Sequence, residues 1–220
     1  MKTSLLILIA IQLGFAAFST AAPVVITAPT VITQSGAYIL GNQIVVNPTI
    51  PPHIPIGINI QADYVSIDFN GYSLISAGGT NGVLASGHSF ITLQNGTIAG
   101  FPFGVVLSGT GMVGNLIKQM NVVAAGNGID IHSPSSASRI SDCQVSNCNY
   151  GILTHGGVSV LQNGVSKCTT VGISAVTGDF AARNTVSNSL YGIFGGKYQG
   201  NLTSGCTVPF IGGIDAGENN

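Results

Sequence analysis

A glycine followed by Ile or Val returns eight times along the chain, at Gly57-Ile58, Gly82-Val83, Gly104-Val105, Gly128-Ile129, Gly151-Ile152, Gly172-Ile173, Gly192-Ile193 and Gly213-Ile214. The intervals are 25, 22, 24, 23, 21, 20 and 21 residues. The dipeptide alone carries little in a chain with 31 glycines, but its near-even spacing is the signature of a repeat architecture. A second column keeps the same register: Ile98, Val122, Val145, Val165 and Val186 precede their dipeptides by six or seven residues. Two residues earlier stand Gly96, Met120, Cys143, Asn163 and Asn184, and three residues later Phe101, Ala125, Cys148, Cys168 and Ser189. Each repeat therefore holds short alternating segments of strand type separated by Gly, Asn and Ser, with no helical period of useful length.

Strands of this length in a coil of about 22 residues close most simply as a parallel β-helix, in which each strand pairs with its equivalent one rung on at about 4.8 Å. A single rung cannot bury its own inward face; stacking buries it and aligns like residues in ladders. A leucine-rich repeat wants Leu at fixed positions, and calcium-binding nonapeptide coils want repeated Gly-Gly-x-Gly-x-Asp; neither pattern is present.

Composition agrees. There are 6 Lys and Arg against 7 Asp and Glu, no Trp, and a net charge of −1. The Asn/Gly and β-branched bias favours strands and turns over helices. So even a charge balance provides no basic footprint for nucleic acid, nor an electrostatic hold on a membrane surface. The opening, one Lys followed by an apolar run from Leu5 to about Ala17 and the small residues Ser19-Thr20-Ala21, has the pattern of a cleaved secretory signal. The expected organisation is a signal peptide over 1–21, an N-terminal cap and Pro-rich loop over 22–56, and β-helix repeats over 57–220. The stretch 24–46 is expected to cap or flank the first rung, and 47–57, with four of the nine prolines, to form an irregular loop. Secreted, periplasmic or cell-surface localisation follows from the signal pattern.

The segments "YVSIDFNGYSLISAGG" (64–79) and "FITLQNGTIAGFPFGVVL" (90–107) resemble the opening rungs of exported bacterial right-handed parallel β-helix proteins of the broad pectate-lyase-like superfamily. The resemblance spans roughly residues 24–217. It implies an all-β fold, a right-handed parallel β-helix of about eight rungs, and it leaves function to be argued from a site. Lyases of that superfamily use clustered acids to hold calcium and a basic residue to abstract a proton. Its polygalacturonases use Asn-Thr-Asp, Asp-Asp and Gly-His-Gly. This chain has no Asp-Asp and no Asn-Thr-Asp; "SGHS" (86–89) and "THGG" (154–157) are its nearest approaches to the third motif. Asp68, in "IDFNG", reads as a turn residue at a rung corner.

Repeat arithmetic supplies the sharper candidates. One and three residues beyond each glycine, apolar or small side chains face inward, so the second and fourth positions face outward. The fourth column reads Gln61, Ser86, Ser108, His132, His155 and Val176. His132 and His155 should thus stack on adjacent rungs, with Asp130 on the same face, a set able to hold a divalent metal or perform acid–base chemistry. The second column, Asn59, Leu84, Val106, Asp130, Leu153, Ser174 and Phe194, is apolar at four of seven positions. A covering loop, a partner or a second protomer would account for this, so an oligomer through that column is one expectation. Tyr150 and Tyr191, each just before a glycine, are candidates for stacking on sugar rings or for packing at turns. Asn163 and Asn184 should form an inward amide ladder. Cys148 and Cys168 share a column and would either bridge or stack as thiols, whereas Cys143 and Cys206 fall outside that alignment. Asn95-Gly96-Thr97 and Asn201-Leu202-Thr203 match the glycosylation pattern. The reading is a secreted, non-catalytic protein with a rigid surface for carbohydrate or cell-surface contact, without cofactor; the alternative is a small lyase- or epimerase-type enzyme acting on polysaccharide.

Overall fold

The computed structural model describes residues 22–49, 55–123, 126–134 and 137–220. The signal-type opening (1–21), the middle of the Pro-rich loop (50–54) and Ala125 lie outside the described residues. Among the described residues there are strands and bends but no helix. The strands stack as a parallel β-solenoid with two sheets, one of sixteen strands and one of nine. The number of turns differs slightly from the eight expected.

The rung from Ser138 to Thr154 shows the construction. Ser138–Ser141 and Gln144–Ser146 lie in the larger sheet and Tyr150–Thr154 in the nine-stranded sheet. Each pairs in register with its equivalent on the next rung: Ile140 with Val160, Val145 with Val165, Ile152 with Ile173. Those residues are 0–1% exposed. Alternation turns them inward, and register stacks them into one continuous apolar cluster.

The bends within a rung are left-handed and repeat as well. Asp142, Gln162 and Arg183 have φ of 56°, 58° and 56°, and Asn147, Lys167 and Asn188 have 56°, 55° and 52°. Gln, Lys and Arg have no intrinsic liking for this region. The solenoid offsets the strain by giving each bend a hydrogen bond to the next rung, as in Gln162 N–H to Ala182 O at 3.0 Å and Lys167 N–H to Ser187 O at 3.0 Å.

The stretch 24–46 contributes to the same sheets. Val24–Ile26 pairs with Gly36–Leu40, and Thr30–Ile32 pairs with Ile56–Ile60, both in parallel. It is therefore continuous with the solenoid while flanking its first full rungs.

The structure revises the repeat at two points. A glycine recurring once per rung would ordinarily turn a corner, yet none of those in the first seven dipeptides has a positive φ. They are required for space. A Cβ on Gly151 would lie 2.5 Å from Gly172 O and 2.5 Å from Val165 Cγ1, and Gly82, Gly104 and Gly128 each meet the carbonyl of the next glycine in the same way. The second revision concerns the end. Gly213-Ile214 does not open a strand of the nine-stranded sheet; that place belongs to Val208–Ile211, with Val208 beside Tyr191 and Phe210 beside Ile193. Ile214 instead pairs with Lys197 in the larger sheet. The last rung is shorter than its predecessors, so the final interval of 21 was a coincidence of spacing.

Candidate functional site

Register decides which side chains meet on the outer face of the nine-stranded sheet. Val106, Asp130 and Leu153 are aligned across adjacent strands, as are Ser108 and His132. Asp130 and His132 both point away from the core because Ile129 and Ile131 between and beside them are fully buried.

His132 and His155 do fall on adjacent rungs, with ring centroids 3.9 Å apart and the rings tilted by 39°. Asp130 Oδ1 lies 3.9 Å from His155 Nε2. One ligand atom from each of the three residues falls within 4.8 Å of the others, and this is the only such group of three among the described residues. The Asp130 side chain is 16% exposed and that of His155 34%. Asn127 Nδ2 donates to Asp130 Oδ2 at 3.2 Å, leaving Oδ1 buried and without a hydrogen-bond partner. An orphaned buried carboxylate oxygen costs about 1–3 kcal/mol or more. Such an atom calls for a partner: a water, a protonated ring or an ion.

His155 is held from both flanks by a residue that sequence reasoning passed over. Asp179, 2% exposed, accepts from Thr154 Oγ1 at 2.8 Å, Gly156 N–H at 3.0 Å, Val158 N–H at 2.9 Å and Val176 N–H at 2.8 Å. All the acceptor capacity of its carboxylate is used, and the backbone before and after His155 is pinned. The only signal was an isolated acid in "VTGDF", which any turn could explain. Beside His155 opens a trough of about 510 Å³ lined in part by Pro134, Gly156 and Thr177. A larger cleft of about 780 Å³, with Phe180, Phe194 and Lys197 in its wall, lies further along the same corner.

The position before each glycine also forms an outward column. Register aligns Asn81, Phe103, Asn127, Tyr150, Val171 and Tyr191. Tyr150 and Tyr191 are half-buried and Phe103 is exposed, so three aromatic residues occur on every second rung. In the neighbouring column Leu84, Val106 and Leu153 are half-buried and Phe194 is exposed. A second aromatic feature went unnoticed in the sequence: Tyr64 and Phe90 stack at 4.7 Å and 8°, both at positive φ and both exposed.

The other candidates resolve as scaffold. Asp68 caps a corner: Asn70 N–H, Gln94 Nε2 and Asn95 Nδ2 donate to it at 2.7, 2.9 and 3.1 Å. Burial alone would raise its pKa, but these donors and Lys118 outweigh it and hold the carboxyl below its ordinary value. Asp63 pairs with His88 at 3.3 Å, and the Ser89 N–H chiefly lowers its pKa. Cys148 and Cys168 form no disulfide; all four cysteines are thiols. The two thiols lie against carbonyls of their own rungs, Ser146 O and Ser166 O, at 3.2 and 3.8 Å. Cys206 does align with them, because the shortened rung, which sets Thr203 beside Val186, brings it beneath Ser189. Burial pushes Cys143 up to about 11 and Cys168 up to about 12. Accordingly, alkylation by iodoacetamide at pH 8 should mark the half-buried Cys206 in the native protein and the other three only after denaturation, and reductant should leave the melting temperature unchanged.

No protein family, curated protein or solved structure matches this chain.

Proposed function

We propose that this chain is an exported β-solenoid of the pectate-lyase-like kind that performs no chemistry of its own and offers the outer face of its nine-stranded sheet to a polysaccharide or cell-surface glycan. The observation that carries this reading is the column of Phe103, Tyr150 and Tyr191 on alternate rungs. Two rungs span about 9.6 Å, close to the repeat after which a 1,4-linked chain of sugars presents the same ring face again. An aromatic ring offers an apolar face to a sugar's C–H surface, and a rigid sheet offers it with little loss of conformational freedom. The scarcity of charge favours uncharged surface contact over acid–base chemistry, and the acids Asp68 and Asp179 are already committed to backbone and side-chain donors. Export rests on the signal-type opening.

The test is a glycan array with the native protein, followed by incubation of each bound polysaccharide and assay for unsaturated uronates. Binding without product is expected. Tyr150→Ala and Tyr191→Ala should each weaken it roughly 3- to 10-fold, while Tyr64→Ala, at the distant corner, should not. Product formation would establish the lyase reading instead, and loss of binding in Tyr64→Ala alone would move the surface to the aromatic stack.

A further inference from the structure

We infer that Asp130, His132 and His155 form a binding site for one divalent transition cation of the zinc class. The donor set is two imidazoles and one carboxylate, the mixture such ions take. Their ligand atoms lie within 4.8 Å of one another. Bonds of about 2.0–2.2 Å to nitrogen and oxygen require these atoms to draw somewhat closer, which rotation of the exposed His132 and half-buried His155 rings supplies.

Three features make this more than a chance stack of like residues. The first is the orphaned Asp130 Oδ1, buried and facing His155 at 3.9 Å while Asn127 occupies the other oxygen. A cation between the three would satisfy it. The second is the pinning of His155 by Asp179 through Thr154 and Gly156, which fixes the backbone that carries one ligand. The third is the isolation of the set: Val106 and Leu153 flank Asp130 in its column, and Ser108 precedes and Val176 follows the two histidines in theirs. Asp130 is the one carboxylate in that column, between two apolar neighbours. Three protein ligands leave coordination positions open to water or a ligand oxygen, and one of the three, His155, also lines the trough beside Pro134 and Thr177. Calcium, which takes six to eight oxygens, is a poor fit. The site does not depend on the glycan reading.

The experiment uses the untagged chain, stripped with chelator and dialysed against zinc chloride, with metal content read by elemental analysis. One zinc per chain is expected, undisplaced by excess calcium. Asp130→Asn should weaken binding by at least roughly 100-fold, the upper end of what loss of a supporting partner costs, and the double change His132→Gln, His155→Gln should abolish it. His88→Gln, which removes the other imidazole beside a carboxylate among the described residues, should change nothing. Circular dichroism checks that each variant remains folded. Independently of any variant, zinc should shift the ring resonances of two histidines in the wild-type NMR spectrum. No stoichiometric zinc, no shifted histidine pair, binding that survives the double change or Asp130→Asn, an equal fall in His88→Gln, or equal competition by calcium would each overturn the site.

Discussion

Asn184→Ala is expected to destabilise the protein by about 3–4 kcal/mol, a fall in melting temperature of about 10 °C for a chain of this size. The expectation follows from a ladder of buried amides. Asn184 Oδ1 accepts from the backbone N–H and the Nδ2 of Asn163 at 2.9 and 3.0 Å, and its Nδ2 donates to Val160 O at 2.9 Å and Asn201 Oδ1 at 3.0 Å. Asn201 repeats the pattern with Asn219 and Ala181, and Asn163 with Cys143 and Ile140. Truncation leaves the Asn163 N–H without an acceptor and three more groups short of one bond, in a column only 1–2% exposed. Each buried loss costs about 1–3 kcal/mol when nothing replaces it. Because a solenoid is held by nearest-neighbour interfaces, the damage should be local. Hydrogen exchange should show loss of protection from Asn163 toward the C-terminus while the rungs around Leu93 and Ile117 stay protected; uniform loss would contradict the ladder as the element holding that end.

The same ladder shows how far a sequence of this type can be read. The Asn163–Asn184 pair was visible because those rungs keep the common spacing. Asn201 and Asn219 were not, because the rungs shorten to separations of 17 and 18 residues and the alignment slips. Asn201 instead drew notice as a glycosylation pattern, although its amide is fully engaged within the coil. The Asp130, His132 and His155 set was legible for the complementary reason. His132 and His155 lie 23 residues apart, in the most regular part of the chain, so counting alone placed them side by side. What counting could not supply was the state of individual atoms: the unpartnered Asp130 Oδ1, the Asn127 contact and the Asp179 clamp depend on rotamers and on loops that the repeat does not specify. The left-handed bends were missed as well, since Gln162, Lys167 and Arg183 adopt them for the sake of inter-rung hydrogen bonds and not by local preference.

Gly151→Val should be more damaging still, preventing folding or costing about 4–5 kcal/mol, the range reserved for the gravest single changes. The Cβ alone would stand 2.5 Å from Gly172 O, 2.5 Å from Val165 Cγ1 and 3.0 Å from Cys168 Sγ. A carbonyl in a paired strand cannot retreat without breaking its ladder, and a buried Val side chain has no room to rotate away. Had the glycine served to turn a corner, the penalty would be conformational, about 1–2 kcal/mol on going to Ala. Gly87 provides that comparison: its φ is +78° and nothing lies within 4 Å of an added Cβ. Gly87→Ala should therefore cost about 1–2 kcal/mol, whereas Gly151→Ala should already cost clearly more, as read from urea unfolding midpoints. Equal effects at the two sites would mean that the rungs can spread to admit a methyl group. The predicted inequality says they cannot, because each glycine lets the next rung's carbonyl approach its Cα closely enough for the Ile beside it to reach the core.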